Sequence, residues 1–190
     1  MAKITLVIKK VKNTIRNDYD EFDPKFLGTL PYTTPFFLFS KKKILGNFHN
    51  FKRLFPNSSI HYAMKANSEP EILKTLADAG CGFEVASRYE LDMLKELKVT
   101  PDKIIYGTSV KPADHIKEFF EYGVDRFALD SLSEVEKIAA FAPRSKVYVR
   151  SLANDSGSVF KFSEKFGTDT ASIIPILTRA KELGLRTYGI

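Results

Sequence analysis

Cysteine and long apolar runs are scarce in this sequence, and their scarcity excludes several classes of protein. Cys81 is the only cysteine among the 190 residues, which excludes an internal disulfide framework and a cysteine-rich zinc site. The longest apolar stretch near the amino terminus, residues 4–8, is too short for a signal-peptide core or a membrane span. We therefore expect a cytoplasmic protein in a reducing compartment, with no membrane partner.

Several familiar ligand-binding patterns are also missing. No Gly-x-Gly-x-x-Gly follows the first predicted strand, which argues against a dinucleotide-binding fold. No Ser/His/Asp arrangement or phosphate loop occurs, and His49 and His115 have no ligand partner at metal spacing. The sequence therefore predicts no metal site.

Basic residues are in excess, but they are spread along the chain. The 29 Lys and Arg against 23 Asp and Glu give a formal net charge of +6. One short cluster, Lys41, Lys42 and Lys43, precedes an apolar segment with helical spacing. Because no aromatic residues alternate with it, we interpret the cluster as a solvated helix face and expect no nucleic-acid partner. The same charge balance also fits a pocket for an anionic cofactor.

Short apolar runs recur at a nearly constant spacing from residue 60 onward. The centres of the first five runs are 22, 22, 22 and 20 residues apart, and a last run covers residues 185–190. This period fits a strand followed by a loop and a helix, so it predicts parallel strands in a doubly wound sheet or a barrel. The first five predicted strands are residues 60–64, 83–86, 104–106, 126–129 and 146–149.

Helix-start signals follow three of the predicted strands. Each is a Ser-x-x-Glu sequence, in which the two side chains can satisfy unpaired backbone N–H groups at the start of a helix. The pairs are Ser68/Glu71, Ser87/Glu90 and Ser131/Glu134. Glycines at positions 80, 123 and 184 lie where the helices should end, since glycine tolerates the left-handed cap.

The domain organisation follows from this repeat. Residues 1–33 read as an irregular lead-in, and residues 34–190 as an incomplete barrel domain. Residues 35–39 predict an additional strand, and the helical spacing that follows ends at Pro56. A complete eightfold barrel usually needs about 250 residues. We therefore expect about six of the eight strands here, in the N-terminal portion of a larger enzyme.

Lys65 is the first candidate for the active site, because ligands of parallel β–α folds bind at the carboxyl ends of the strands. Alternation along residues 60–65 places His61, Ala63 and Lys65 on one face, with Lys65 at the barrel mouth. Burial there lowers the pKa of an amine, which suits a lysine that forms a Schiff base. The alternative is an exposed lysine at the end of a strand.

Glu84 and Arg150 are the other candidates. Glu84 alternates with Phe83 and Val85, and a carboxylate inside a buried strand is expected to be paired. Facing Lys65, it could stabilise a protonated amine; a structural ion pair or an edge position is the alternative. Arg150 ends the fifth strand, where a guanidinium suits an anionic ligand oxygen or, alternatively, a salt bridge that anchors a loop.

Several blocks of the sequence resemble the group IV amino-acid decarboxylases, which have the alanine-racemase fold. Residues 62–67, Tyr-Ala-Met-Lys-Ala-Asn, resemble the family's pyridoxal-phosphate lysine motif, and residues 82–88 with Glu90 resemble the motif on its second strand. Arg150, followed by residues 154–158 and 165–167, is similar to the segment after the family's fifth strand.

The ornithine/lysine decarboxylase branch fits these blocks best. Alanine racemases continue the lysine motif with Tyr-Gly-His-Gly, whereas this chain continues with Ser68-Glu-Pro70. Diaminopimelate decarboxylases carry Ser-Gly-Gly-Glu where this chain has Ser87-Arg-Tyr-Glu90. The Asp-Ser-Gly-Ser block with Lys-Phe-Gly after it is also similar to the ornithine enzymes.

This resemblance implies a partial (β/α)8 TIM barrel of the alanine-racemase type, with a C-terminal β domain absent from this chain. It implies pyridoxal 5′-phosphate as the cofactor and a homodimer with active sites at the subunit interface. By the same resemblance, Lys65 would carry the cofactor as a Schiff base, and Glu84 would lie beside it, where ornithine decarboxylases usually have aspartate. Arg150 would reach the cofactor from the fifth strand, and Lys165 would lie near the dimer interface.

The implied activity is a carboxy-lyase reaction on a small amino acid. Ornithine would yield putrescine and lysine would yield cadaverine, in polyamine biosynthesis. The family's remaining cofactor and substrate residues are expected beyond Ile190, so we expect the 190-residue chain alone to be inactive. The alternatives are a non-catalytic truncated relative that binds a full-length subunit, and another pyridoxal-phosphate barrel enzyme such as diaminopimelate decarboxylase.

Overall fold

One parallel sheet organises the chain. The computed structural model describes residues 23–33, 35–154, 156–159 and 165–190. Six strands pair in sequence order, and every neighbouring pair is parallel. The strands are β1 His61–Ala63, β2 Gly82–Val85, β3 Ile104–Tyr106, β4 Arg126–Leu129, β5 Lys146–Val149 and β6 Arg186–Gly189.

Helices connect each strand to the next. Short 3₁₀ turns cover Met64–Ala66 and Pro101–Lys103. The α-helices are α1 Pro24–Leu27, α2 Lys41–Leu54, α3 Pro70–Asp78, α4 Arg88–Glu96, α5 Ala113–Tyr122, α6 Leu132–Phe141 and α7 Thr170–Glu182. None of these described helices is both long and apolar enough to cross a membrane.

The hydrophobic core lies between the sheet and the helices. In β2 to β5, every second residue faces this layer and is at most 1% exposed, and helix side chains such as Leu73, Leu94 and Val135 pack against them. Tyr106 stacks on Phe119 of α5 with ring centroids 4.0 Å apart. Burial of each such side chain contributes about 1.5–3 kcal/mol. The strand residues of this layer are Phe83, Val85, Ile104, Tyr106, Phe127, Leu129, Val147 and Val149.

The opposite face of the sheet carries the alternate strand residues, and apart from Gly82 and Ala128 they are less buried. Ala63 pairs with Glu84 and Glu84 with Ile105, and all three are half-buried. Sequential parallel strands with right-handed connections place every helix on the same side. This is the arrangement of a barrel and not of a doubly wound sheet, which has helices on both faces. The predicted partial (β/α)8 barrel is confirmed, and its less buried face is the barrel interior.

The predicted strand at residues 35–39 is wrong. This segment has no regular secondary structure, and Phe37 is 72% exposed while its ring stacks on Phe39. An apolar run becomes a strand only when a neighbour satisfies its backbone N–H and C=O groups. The sheet order among the described residues begins at β1 and contains no such neighbour. The lead-in contains α1, and residues 1–22 lie outside the described residues.

The Ser-x-x-Glu pairs behave differently from one another. The Ser87 hydroxyl accepts a hydrogen bond from the Glu90 N–H at 3.3 Å, and the Glu90 carboxylate accepts one from the Ala86 N–H at 2.6 Å. This reciprocal arrangement starts α4, although the glutamate reaches one residue further back than the usual capping box.

Of the other two predicted helix caps, one is partly correct and the other is wrong. Ser131 caps α6 by accepting from the Glu134 N–H at 3.4 Å, but the Glu134 carboxylate turns toward a buried lysine. The Ser68/Glu71 prediction is wrong, because α3 begins two residues after Ser68 at a proline. Glu71 pairs instead with Lys41 of α2 at 2.8 Å. In both of these pairs, the glutamate that was expected to cap its helix instead forms an ion pair with a lysine from another part of the chain.

Candidate active site

Lys65 lies at the carboxyl rim, immediately after β1. The strand ends at Ala63, and the 3₁₀ turn that follows buries Met64 in the core and exposes Lys65. The Tyr62 hydroxyl closes the turn by donating to the Asn67 carbonyl at 3.1 Å. Lys65 therefore reaches the rim through a turn, whereas the sequence predicted a continuing strand. The expected burial of its amine is also wrong, because the turn exposes the side chain. Among the described residues, its ammonium forms no hydrogen bond or ion pair.

Glu84 projects from the middle of β2 into the barrel interior. It is half-buried, and its carboxylate forms no hydrogen bond or ion pair with the described residues, so the predicted pairing with Lys65 is absent. The side chain lies against Gly107, just beyond β3. A methyl group built on Gly107 would be 2.5 Å from Cδ of Glu84 and closer still to its Oε1 and Cγ. A half-buried carboxylate without a partner is available to a ligand.

Tyr148 is an interior residue that the sequence analysis missed. Burial raises the pKa of its phenol to about 12, with the Glu84 carboxylate adding to the rise and Arg126 and Arg150 opposing it. The alternation along β2 and β5 places Glu84 and Tyr148 on the interior face of the sheet, whereas Arg126 lies at the amino end of β4, near His61. The alternation along β5, which places Tyr148 and Arg150 on one face, was the available signal.

Arg150 follows β5 directly and is exposed at the rim. Its backbone N–H donates to the Leu129 carbonyl at 2.8 Å, and its carbonyl accepts from the Thr168 N–H at 2.9 Å. The guanidinium carbon lies 5.3 Å from the centre of the Phe166 ring, within cation–π range. Arg150 forms no ion pair with the described residues, so a loop-anchoring salt bridge is not what holds it.

The Lys-Phe-Gly segment at residues 165–167 positions Phe166 beneath this arginine. Gly167 has a φ of +105°, and its N–H donates to the Asp130 carboxylate at 2.9 Å, which ties the segment to the end of β4. A side chain at Gly167 would be strained by that φ and would crowd the Leu152 N–H. Residues 155 and 160–164 lie outside the described residues, and the interface role of Lys165 stays a prediction.

Lys111 forms a second, fully buried charged cluster behind the rim, which sequence reasoning also missed. Its ammonium donates to the carbonyls of Thr108, Ser109 and Ala128 at 2.9, 3.1 and 2.5 Å. It also pairs with the Glu134 carboxylate at 3.2 Å. The side chains of both charged residues are at most 3% exposed. This cluster fixes the loop between β3 and α5 at the carboxyl edge of the sheet.

Burial also shifts the titration of this amine. It lowers the pKa of Lys111 from 10.5 to about 8, although the nearby Glu134 carboxylate opposes that effect. Between pH 8 and 10.5, the unfolded chain keeps a proton that the folded protein has lost. The free energy of unfolding should therefore rise with pH in this window, by up to about 1.4 kcal/mol per pH unit.

Urea unfolding of the wild type and of Lys111→Met at pH 7, 8, 9 and 9.5 tests this prediction. We expect the rise above pH 8 in the wild type and a flatter profile in Lys111→Met. Lys74→Met is the matched control, because Lys74 lies on the exposed side of α3. Equal slopes in all three proteins would contradict the assignment of this titration to Lys111.

His61 and Cys81 lie away from the rim. His61 is half-buried at the amino end of β1, where burial, with Arg126 and Lys103 adding to it, lowers its pKa and favours the neutral ring. Cys81 is buried, and burial raises the pKa of its thiol, which makes it a poor nucleophile. Among the described residues, no group of three or more His, Cys, Asp and Glu could hold a metal ion.

Comparison with known proteins decides the family. The family model for the pyridoxal-binding domain of pyridoxal-dependent decarboxylases matches residues 41–190. This range includes all six strands described above and the rim. This chain belongs to the pyridoxal-dependent decarboxylase family. The predicted cofactor, pyridoxal 5′-phosphate, is thereby confirmed, as is the resemblance to group IV decarboxylases.

Relatives within this family agree with the fold. The lysine/ornithine decarboxylase of Selenomonas ruminantium is 37% identical over 83% of this chain, which spans only 40% of that enzyme. The crystal structure of SrLDC in complex with PLP and cadaverine superposes with a TM-score of 0.76 and 36% identity, covering 87% of this chain and 41% of that one. The arginine decarboxylase of Paramecium bursaria Chlorella virus gives a TM-score of 0.75 and 30% identity, covering 79% and 41%.

The residues of this pyridoxal-binding domain fit the cofactor chemically. Lys65 offers an exposed amine that no described residue pairs with, which suits reaction with an aldehyde. Arg150 offers an exposed guanidinium that forms no ion pair within the described part of the chain, which suits an anionic oxygen. Glu84 and Tyr148 supply a carboxylate without a described partner and a neutral phenol on the interior face. The structure thus brings the predicted residues to the rim and the adjoining interior.

Proposed function

We propose that the full-length protein that contains this chain decarboxylates ornithine, lysine or both, forming putrescine or cadaverine, with pyridoxal 5′-phosphate as its cofactor. The observation that carries the proposal is the exposed Lys65 amine at the rim of a pyridoxal-binding domain, where none of the described residues pairs with it. The similarity to lysine/ornithine decarboxylase supports this choice of substrate class. Following the resemblance, we place the reaction in the cytoplasm and in polyamine biosynthesis. We propose a homodimer as the assembly, with Lys165 near its interface.

The cofactor, when bound, supplies an electron sink for the negative charge left at the α-carbon when CO2 departs. Lys65 would hold the cofactor through Nζ, and no hydrogen bond or ion pair from the described residues competes for that nitrogen. The Glu84 carboxylate stabilises positive charge in the interior next to β1.

Tyr148 and Arg150 act from the other side of the same interior space. The raised pKa keeps the Tyr148 phenol protonated at neutral pH, so it can donate a hydrogen bond. The Arg150 guanidinium, held against Phe166, binds an anionic oxygen at the rim. These residues bind and orient the reacting molecules in a site that the barrel partly shields from water.

Release of CO2 tests the proposed reaction. The purified full-length protein that contains this chain, supplied with pyridoxal phosphate, should release labelled CO2 from ornithine or lysine carrying the label in the carboxyl group. An equal amount of putrescine or cadaverine should form, and the reaction should stop when the cofactor is removed by dialysis. Arginine is the third substrate to test, because an arginine decarboxylase has a similar fold. No CO2 from any of these amino acids would refute the proposal.

A further inference from the structure

Glu84 and Gly107 occupy one small region of the barrel interior. Glu84 pairs with Ile105 across β2 and β3, so Ile105 and Gly107, two residues further on, share its face of the sheet. The Glu84 side chain leans along this face toward the rim and fills the space that a side chain at position 107 would need. A Cβ atom there would lie within 2.5 Å of Cδ of Glu84 and nearer to two of its other atoms.

The backbone does not itself require glycine at this position. Gly80, Gly123, Gly167 and Gly184 are the described glycines with a positive φ, and Gly107 is not among them. An alanine could therefore adopt the same backbone conformation without strain. What a side chain would meet at position 107 is Glu84, because all three of the nearest atoms belong to that residue.

The backbone around Gly107 also has little freedom to retreat. The Gly107 N–H donates to the Val85 carbonyl at 3.0 Å, which extends the ladder between β2 and β3. The next two carbonyls, those of Thr108 and Ser109, accept from the buried Lys111 ammonium. Because the loop is fixed on both sides, an added methyl group must displace the Glu84 side chain from Cγ outward and not the main chain.

We propose that Gly107 is a positioning residue whose missing side chain sets where the Glu84 carboxylate lies. The length of the acidic side chain at position 84 then determines how large a side chain position 107 can accommodate. This inference rests on the proposed function for the importance of Glu84, but the contact itself exists without cofactor or substrate. The three atoms nearest to a Cβ at position 107 all belong to Glu84, so Gly107 acts on the cofactor site through that residue.

The test combines Gly107→Ala with Glu84→Ala in a double-mutant cycle. Gly46→Ala is the matched control, because a Cβ at Gly46 meets nothing within 4 Å. The first measurement is the carbonyl ¹³C resonance of the Glu84 side chain in the cofactor-free protein, assigned by its loss in Glu84→Ala. The second is the dissociation constant of pyridoxal phosphate by equilibrium dialysis, and the third is the urea midpoint.

We expect Gly107→Ala to move the Glu84 resonance and to weaken cofactor binding about tenfold, since small misplacements of binding groups are costly. The urea midpoint should fall only modestly, because the half-buried Glu84 side chain can rotate from Cγ outward while the main chain stays in place. In the Glu84→Ala background, the same substitution should change the dissociation constant less than about twofold. Gly46→Ala should leave the Glu84 resonance and the dissociation constant unchanged.

An unmoved Glu84 resonance, or an equal loss of affinity in the Glu84→Ala background, would overturn the inference. If Gly107→Ala fails to fold, the double variant decides: a folded double variant supports the coupling, and an unfolded one refutes it. None of these measurements uses an amino-acid substrate. Failure of the wild type to release CO2 would therefore refute the proposed function and leave the coupling between positions 84 and 107 intact.

Discussion

Replacing Lys65 with alanine should abolish covalent attachment of pyridoxal phosphate and lower kcat/KM by at least about 10³- to 10⁴-fold, a loss of about 4–5.5 kcal/mol. Only a side-chain amine can bond to the cofactor aldehyde, and alanine removes it without disturbing the core, because Lys65 is exposed. The measurement is the visible absorbance of the protein-bound cofactor after dialysis, together with the rate of CO2 release.

The neighbouring lysines explain why Lys65 is the expected residue. Lys111 is fully buried, and its ammonium is occupied by three carbonyls and the Glu134 carboxylate, so it cannot reach a ligand at the rim. Lys74 is exposed but lies on α3, outside the barrel, and pairs with Asp78 at 2.9 Å. Lys74→Ala is therefore the control and should keep both absorbance and activity. Retention of the absorbance band in Lys65→Ala would remove Lys65 from the mechanism.

Replacing Glu134 with alanine should lower the free energy of unfolding by about 3–5 kcal/mol, more than any of the other proposed substitutions. The substitution leaves the Lys111 ammonium buried without its carboxylate, and an uncompensated charge in the interior is strongly unfavourable. It also removes the ion pair between Glu134 and Lys137. The measurement is the free energy of unfolding in urea at pH 7, where Lys111 is protonated.

Glu121 offers the control for this experiment. It lies on α5, is mostly exposed and pairs with Lys117 at a distance of 3.8 Å, so Glu121→Ala should cost less than about 1 kcal/mol. If Glu134→Ala costs no more than Glu121→Ala, the buried pair does not stabilise the loop between β3 and α5. The backbone at Gly107 would then also be freer to move, because the Lys111 ammonium holds the carbonyls of the two residues that follow it.

The fold was predictable because its strands are buried on one face and repeat at a constant spacing. Phe83 and Val85 are buried on either side of Glu84, and this alternation located β2 and assigned Glu84 to the interior face. Residues 35–39 are equally apolar, yet they have no neighbouring strand within the described sheet. A local pattern contains no information about such a neighbour, so the strand predicted there was wrong.

The site was predictable where it depended on position along a strand, and not where it depended on contacts between strands. The rule that ligands bind at carboxyl ends led to Lys65 and Arg150, and the same alternation could have led to Tyr148. Gly107 and Lys111 carried no such signal. Gly107 matters because of the conformation that Glu84 adopts in the fold. Lys111 matters because the fold brings carbonyls of the loop and of β4 around its ammonium.

The Lys65 amine is the group on which the proposed chemistry depends, and one trapping experiment examines it directly. Borohydride reduction of the purified protein with bound pyridoxal phosphate makes the link to the lysine permanent, and peptide mass mapping then locates the pyridoxyl group. We predict that it lies on the peptide that contains Lys65. A pyridoxyl group on any other lysine, or on none, would contradict this assignment.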